Sequence, residues 1–247
     1  MKKTILTLIT LITALFAFGE EAETPKTPYA EWARFNRYQN ENKEYKEKNA
    51  EPPVAVFMGD SITDMWSNVI HKEFFKENNY LGRGLCGQVT IQMIARFRKD
   101  VLEFNPKVVV IMAGTNDIAE NEGYTELDDI AGNVINMAEL ALANKMVPVI
   151  CSITPAGEYR WRKRIENVPE KIAAVNKMLK DYCTSHGMIY LDYHSALADK
   201  NGAMPAKFSG DGVHPNLQCY KVMEPMAKAA VEKALLVHKK KFGKKSR

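Results

Sequence analysis

Short apolar runs rich in Val and Ile alternate with longer segments of helical periodicity along most of this 247-residue chain. Short runs of this composition are typical of strands that are buried on both faces of a sheet. They lie at residues 54–58, 107–113, 147–153 and 188–193, with a shorter one at 80–85. Strands that alternate with helices form parallel sheets through right-handed crossovers. The order therefore predicts an α/β fold, a three-layer α/β/α sandwich around a five-stranded parallel sheet.

The longer segments carry apolar side chains on one helical face. One such stripe is formed by Ile91, Ile94, Phe97, Val101 and Leu102. Residues 127–143, 169–182 and 219–237 supply three more. We expect these helices to cover the two faces of the sheet.

The first residues have the pattern of a secretory signal peptide. Two lysines precede an apolar stretch at 5–18, which small residues and then the acidic "EEAE" follow. This pattern predicts a signal peptide at 1–19, cleaved near Gly19, and an exported protein, periplasmic or extracellular. A membrane anchor is the alternative, but about 15 apolar residues fall short of the roughly 20 that span a bilayer. We therefore expect no stable membrane insertion.

The segment at 20–50 is polar and precedes the main domain, predicted at 51–238. It carries Trp32, Phe35, Tyr38, Asn42 and Tyr45 at helical spacing. This spacing predicts an amphipathic helix that lies across the main domain. A separate aromatic platform for a ligand is the alternative.

The chain has 34 basic and 30 acidic residues, and the resulting net charge of +4 excludes few classes of partner. The last ten residues, "HKKKFGKKSR", carry six of the positive charges. We interpret 239–247 as a solvated basic tail; a nucleic-acid contact is the alternative. We expect no nucleic-acid partner for the main domain.

Four cysteines are scattered singly, without the spacing of a metal site. They are Cys86, Cys151, Cys183 and Cys219. Export permits disulfides, and buried free thiols are equally compatible with the sequence. Their pairing stays open.

Polar residues follow three of the predicted strands. Ser61 follows the first, "GTND" at 114–117 follows the strand at 107–113, and Thr154 follows the strand at 147–153. In an open parallel sheet, ligands bind at the carboxyl ends of the strands. The sequence therefore predicts a site at this edge.

A serine hydroxyl is a poor nucleophile until a base removes its proton. Among the five histidines, His214 lies in the glycine-rich "SGDGVHP", three residues after Asp211. A carboxylate at that spacing can hold the imidazole ring while its other nitrogen faces the serine. His194, two residues after Asp192, is a weaker candidate. The "SGDGVHP" loop could instead be only a turn that caps the last helix.

Four stretches resemble, in order, the motif blocks of the SGNH (GDSL-type) esterases. They are "GDSI" at 59–62, "RGLCGQVT" at 83–90, "GTND" at 114–117 and "DGVHP" at 211–215. The resemblance covers most of 54–237 and includes the platelet-activating-factor acetylhydrolase-like branch. It implies a flavodoxin-like SGNH hydrolase fold for 51–238. A Gly-x-Ser-x-Gly elbow is absent from the serine motif, which argues against the α/β-hydrolase fold.

The resemblance also implies a role for each matching residue. Ser61 would be the nucleophile, His214 the base and Asp211 the group that orients His214. The oxyanion hole would consist of the backbone N–H groups of Ser61 and Gly87 and the side-chain amide of Asn116.

No cofactor and no metal are implied. Asp60 and Asp117 could be interpreted as metal ligands, but the family needs no metal, and we expect Asp60 to brace the serine loop. Cys86 stands where family members often have serine.

The loop at 154–169 leaves a strand end beside the predicted site. A Trp with neighbouring Arg side chains can stack on a sugar ring, so Trp161 and Arg160 are candidate substrate-binding residues. They could instead simply cover the edge of the sheet. The resemblance implies removal of short acyl groups, since similar exported bacterial members of the family mostly have this activity. Together with the predicted export, it favours an exported serine esterase that removes short acyl groups, acetyl above all, from carbohydrates or other small esters. A lysophospholipase, thioesterase or arylesterase is the alternative, and an inactive carbohydrate-binding module is a further one. The oligomeric state stays open.

Overall fold

Five short strands in the described part of the chain form one parallel sheet. The structure is a computed structural model that describes residues 28–48 and 50–243. The strands are β1 (Ala55–Gly59), β2 (Tyr80–Gly84), β3 (Val108–Met112), β4 (Val147–Cys151) and β5 (Ile189–Leu191). Each one overlaps an apolar run of the sequence. The predicted five-stranded parallel sheet is confirmed.

The strand order is β2-β1-β3-β4-β5, the flavodoxin-like order. From β1 the chain moves outward to β2 and then returns to place β3 on the other side of β1. Ala55 accordingly pairs with Tyr80 on one side and with Val108 on the other. The direction of winding reverses between β1 and β3, so the crevice for a ligand is expected at their carboxyl ends.

Ten α-helices lie within the described residues. They are α1 (Pro28–Trp32), α2 (Gln39–Glu47), α3 (Ser61–Met65), α4 (Lys72–Glu77), α5 (Thr90–Asp100), α6 (Thr115–Ile118), α7 (Leu127–Ala143), α8 (Val168–His186), α9 (Tyr193–Leu197) and α10 (Leu217–Phe242). A π-helical turn, Trp66–Ile70, follows α3, and a 3-10 turn, Leu102–Phe104, follows α5. No described helix combines the length and the apolar character needed to cross a membrane.

Each face of the sheet has its own apolar core. Val56 and Met58 of β1 face α5, α7 and α8, whereas Ala55 and Phe57 face α3, α4 and α10. Neighbouring residues of a strand point to opposite faces, and both faces are covered, which explains why the strands are apolar without alternation. This is the predicted three-layer sandwich.

The polar N-terminal segment contains two helices where we predicted one. The backbone of Arg34 is left-handed, with φ of 52°, and this conformation separates α1 from α2. The segment lies against the main domain through polar contacts. The Tyr38 hydroxyl donates to the carbonyl of Gly84, and Asn42 Nδ2 donates to Asp100 Oδ1 at 2.9 Å. These contacts join the segment to β2 and to the end of α5.

Three predicted segments fall partly or wholly beyond the described residues. The signal peptide at 1–19 lies outside them, as do residues 20–27 and 49 of the polar segment and the last four residues of the basic tail. The beginning of that tail is helical, since α10 continues to Phe242.

All four cysteines are free thiols in the structure. Cys151, Cys183 and Cys219 are buried, and Cys86 is exposed.

Candidate active site

The predicted site residues lie at the carboxyl edge of the sheet, where the strand order reverses. Ser61 begins α3 directly after β1, and Asn116 lies in α6 directly after β3. The loop that carries Asp211 and His214 precedes α10. Three segments that are distant in sequence therefore meet at one crevice.

Gly59 and Asp60 set the position of Ser61. A Cβ atom at Gly59 would lie 2.2 Å from Thr63 Oγ1 and 2.8 Å from a backbone oxygen of β3, so a side chain cannot be accommodated there. Asp60 caps α3, since its Oδ1 accepts the backbone N–H of Ile62 at 2.9 Å. Ser61 is thus the first residue of a helix, where backbone N–H groups have no acceptor within the helix.

Ser61, His214 and Asp211 form a continuous hydrogen-bonded set. Ser61 Oγ lies 2.9 Å from His214 Nε2. His214 Nδ1 lies 2.6 Å from Asp211 Oδ2. Both ring nitrogens are therefore engaged, one by a hydroxyl and the other by a carboxylate. Such a set can move the serine proton to the imidazole and stabilise the imidazolium that results.

The second oxygen of Asp211 is held by the loop itself. Its Oδ1 accepts the Ser209 hydroxyl at 2.9 Å and the backbone N–H groups of Val213 and His214 at 2.9 and 2.8 Å. Desolvation alone would raise the pKa of Asp211. The hydrogen bonds from the His214 ring and from these three donors outweigh it and hold that pKa well below its usual range. Asp211 thus stays ionised beside the imidazole.

The three candidate oxyanion donors share a cavity of about 340 Å³. Its lining consists of Ser61, Met65, Cys86, Gly87, Thr115, Asn116, Asn121, Trp161, Val213 and His214. The backbone φ of Gly87 is +78°, a conformation that favours glycine. Asn116 Nδ2, which carries two N–H groups, donates to the carbonyl of Gln88 at 3.0 Å.

The buried carboxyl groups of Asp60 and Asp117 have protein partners. Asp117 accepts the backbone N–H of Thr90 at 3.0 Å and its hydroxyl at 2.6 Å, which ties α6 to the start of α5. Desolvation raises the pKa of Asp117, against the hydrogen bonds from Thr90. Desolvation also raises the pKa of Asp60 to about 6, although the hydrogen bond from the Ile62 N–H lowers it. Both side chains brace the loops that carry the site.

The weaker histidine candidate has other contacts. The backbone N–H of His194 donates to Ser152 Oγ at 2.8 Å, and Asp192 caps α9 through the N–H of Ser195 at 3.0 Å. Neither residue is among those that line the cavity described above.

Comparison with known proteins identifies the family. Residues 57–222 match the model of the GDSL-like lipase/acylhydrolase family. The chain belongs to this family. It is accordingly a hydrolase of carboxylic esters, with the SGNH fold.

Solved structures of similar sequence have the same fold. A Bacteroides fragilis protein described as an acylhydrolase is 40% identical, with a TM-score of 0.79 over 83% of this chain and 98% of its own. A GDSL-like lipase from Bacteroides thetaiotaomicron is also 40% identical, with a TM-score of 0.77 over 82% and 99% of the two chains. An acetylxylan esterase from Geobacillus stearothermophilus is 16% identical, with a TM-score of 0.56 over 72% and 93% of the chains, and shares the fold. A comparison with curated proteins found no match.

Of the two candidate substrate-binding residues of this GDSL-family hydrolase, one lines the cavity. Trp161 is 40% exposed, and its ring centroid lies 6.3 Å from that of His214. Arg160 lies outside the lining and donates to the carbonyl of Gly210 at 3.3 Å, beside Asp211. Its guanidinium therefore contacts the loop of the site in this conformation.

Sequence reasoning missed several residues of the hydrolase's cavity. Asn121 lies in the polar stretch after "GTND" and forms hydrogen bonds with both Trp161 and Asn116. Met65 and Val213 add apolar side chains. Val213 stands inside the recognised "DGVHP" motif, which was its signal in the sequence. Nothing in the sequence distinguishes Asn121 from other loop asparagines.

Proposed function

We propose that this protein is an exported serine esterase that removes acetyl groups from carbohydrates, with Ser61 as nucleophile, His214 as base and Asp211 as the residue that orients His214. The observation that carries the proposal is the hydrogen-bonded set from Ser61 Oγ through His214 to Asp211, at 2.9 and 2.6 Å. It opens onto a cavity with an exposed tryptophan beside the histidine.

The first half of the reaction transfers the acyl group to the enzyme. Ser61 Oγ attacks the carbonyl carbon, and its proton passes to His214 Nε2. The oxygen that becomes negative accepts hydrogen bonds from the backbone N–H groups of Ser61 and Gly87 and from Asn116 Nδ2. As the intermediate collapses, the ester C–O bond breaks and His214 returns the proton to the departing alcohol.

The second half regenerates the serine. His214 removes a proton from water while the water oxygen attacks the acyl-serine carbonyl. The same three donors stabilise the second intermediate. The bond to Ser61 Oγ then breaks, the proton passes from His214 to Ser61, and acetate leaves. The ionised Asp211 stabilises the imidazolium in both halves.

The size and the lining of the cavity favour a substrate with a small acyl group and a sugar as its alcohol part. Its volume of about 340 Å³ is at the lower end of ordinary ligand pockets. Trp161 lies at its edge, with the indole N–H engaged by Asn121 and the side chain 40% exposed. An aromatic face of this kind can stack on a sugar ring while the ester lies at Ser61. A solved neighbour of the same fold is itself an acetylxylan esterase.

A matched substrate panel tests the proposal. We would assay 4-nitrophenyl acetate, butyrate and octanoate together with acetylated xylo-oligosaccharides, using wild-type protein and Ser61→Ala. Acetyl esters should be hydrolysed fastest, the acetylated sugars should be deacetylated, and Ser61→Ala should lower turnover by about 10^6. A higher kcat/KM for octanoate than for the acetylated sugars would favour a lipid or small-ester substrate instead. Unchanged hydrolysis by Ser61→Ala would contradict the serine mechanism.

Export is the second part of the proposal, and the lysines, apolar stretch and small residues of 1–19 support it. Expression of the full chain in a bacterial host, with fractionation and N-terminal sequencing, tests it. The periplasmic or secreted form should begin near residue 20. A chain that keeps its first residue and stays in the cytosol would contradict export.

A further inference from the structure

A chain of side-chain hydrogen bonds connects the edge of the cavity to the oxyanion hole. Trp161 Nε1 donates to Asn121 Oδ1 at 3.0 Å. Asn121 Nδ2 donates to Asn116 Oδ1 at 2.8 Å. Asn116 Nδ2 in turn donates to the carbonyl of Gln88 at 3.0 Å. Four residues from three segments of the chain thus form a single directed series.

The two ends of the series fix the direction of both amides. An indole N–H can only donate, and a backbone carbonyl can only accept. Asn121 must therefore present its oxygen to Trp161, and this turns its NH₂ group toward Asn116. If the Asn116 amide were reversed, its oxygen would face the Gln88 carbonyl and its NH₂ group would face that of Asn121. The series therefore excludes the reversed orientation of the Asn116 amide. In that orientation its side-chain oxygen, an acceptor, would take the place of its N–H donor.

The backbone around the series is also tied together. The N–H of Asn121 donates to the carbonyl of Asn116 at 3.0 Å. On the other side, Trp161 packs on Tyr159 with ring centroids 5.2 Å apart. The buried Tyr159 hydroxyl lies 2.9 Å from Thr115 Oγ1, one residue before Asn116. The loop that carries Trp161 is therefore joined to the segment 115–121 at two points, through Tyr159 to Thr115 and through Trp161 to Asn121.

We infer that Trp161 and Asn121 are positioning residues for the oxyanion hole: through their hydrogen bonds they hold the Asn116 amide with an N–H toward the substrate oxygen. This inference rests on the oxyanion role of Asn116 in the proposed function. Trp161 also lines the cavity, where it can contact the alcohol part of the substrate. The same side chain therefore acts both on substrate binding and, through Asn121 and Asn116, on the stability of the transition state. A platform used only for stacking would affect binding and leave the chemical step unchanged.

The variant Trp161→Phe separates these two roles, because it keeps an aromatic face and removes the N–H donor. With 4-nitrophenyl acetate we expect kcat to fall about 3- to 10-fold, the effect of one hydrogen bond, with KM changed less than about twofold. Asn121→Asp should lower kcat at least as much, since a carboxylate can accept from Trp161 but cannot donate to Asn116.

The chain offers a matched control in Trp32. It is 37% exposed, and its Nε1 donates to Glu122, the neighbour of Asn121, at 3.1 Å. Trp32→Phe removes an indole donor to the same loop without touching the series to Asn116. Its kcat should equal that of wild-type protein.

A double-mutant cycle with Asn116→Ala supplies the decisive readout. Without the Asn116 amide there is nothing for Trp161 and Asn121 to orient, so Trp161→Phe should cause no further loss of kcat in that background. Equal losses in both backgrounds, a change confined to KM, or wild-type activity of Trp161→Phe would each overturn the inference. None of these outcomes depends on Ser61→Ala or on the preferred ester, so a failure here is distinct from a failure of the proposed function.

Discussion

Asp211 Oδ2 lies 2.6 Å from Nδ1 of His214. The contact sets the tautomer of the ring, since a proton on Nδ1 is donated to the carboxylate and Nε2 is left as an acceptor toward Ser61. The other oxygen of Asp211 takes three donors from its own loop. One side chain therefore shapes the loop and directs the histidine.

Asp211→Asn should separate these two tasks. An amide oxygen can keep the loop contacts of Oδ1, but the NH₂ group beside His214 Nδ1 would favour the wrong tautomer. We expect kcat for 4-nitrophenyl acetate to fall by about 10^4, with a circular dichroism spectrum like that of wild-type protein. Asp199→Asn is the control, because Asp199 likewise accepts backbone N–H groups in an exposed turn. Equal activity of the two variants would remove Asp211 from the mechanism.

Asn116→Ala should lower kcat by about 10^2 to 10^3 with little change in KM, because in the proposed mechanism its second N–H donates to an oxygen that is charged only in the transition state. Steady-state kinetics with 4-nitrophenyl acetate measure this. Asn144→Ala is the control, since the Asn144 side chain is exposed and bonds to the carbonyl of Leu140 in its own helix. A rise in KM at constant kcat would instead indicate a ground-state contact.

The buried carboxyl group of Asp60 should make the free energy of unfolding depend on pH. Desolvation raises its pKa from 3.8 to about 6, so the folded protein holds this proton more tightly than the unfolded chain does. The stability that the protonated Asp60 carboxyl contributes is fully present below about pH 4 and is lost as the pH rises through about 6. Asp60→Asn keeps a neutral acceptor for the Ile62 N–H. Its free energy of unfolding relative to wild type should therefore rise by about 2 kcal/mol between pH 4 and pH 7. Urea unfolding at several pH values measures the difference; parallel profiles would contradict it.

Replacement of Arg96 should cause a large loss of stability. It is fully buried, and its guanidinium donates to Asp100 at 3.0 Å and to the carbonyls of Gly59 and Arg83 at 3.1 and 2.9 Å. Arg96→Ala would leave a buried carboxylate without its cation, at a cost of about 3–5 kcal/mol. Arg98→Ala on the same helix replaces an exposed residue and should change stability by less than about 0.5 kcal/mol.

Urea unfolding of both Arg variants distinguishes the burial of Arg96 from a general effect of charge on α5. If Arg96→Ala fails to fold, Arg96→Lys keeps the charge but cannot serve all the acceptors, and it should still unfold at lower urea than Arg98→Ala. Equal midpoints for Arg96→Lys and Arg98→Ala would contradict the prediction.

The sheet could be predicted because its signal is local. Val108 to Met112 are all buried, and a run of β-branched and apolar residues is sufficient to indicate such a strand. The helix at Leu127–Ala143 has the bounds that its periodicity predicts. The N-terminal segment was harder, because the break at Arg34 is a backbone conformation that its residue type does not favour.

The site divides in the same way. Ser61, Gly87, Asn116 and His214 stand in motifs whose order indicates their proximity before any coordinates are considered. Asn121 stands in none of these motifs and owes its place to a hydrogen bond with Trp161, which is distant in sequence. Arg96 is fully buried, and its residue type gives no sign of this in the sequence.

By itself the sequence determined the order of strands and helices, the fold family and the residues that come to the sheet edge, because periodicity and motif order are properties of short segments. Only the tertiary structure decided which amide faces Asn116, which arginine is enclosed and how Trp161 meets the cavity. These depend on the direction of hydrogen bonds and on burial, which arise when segments far apart in the chain are packed against one another.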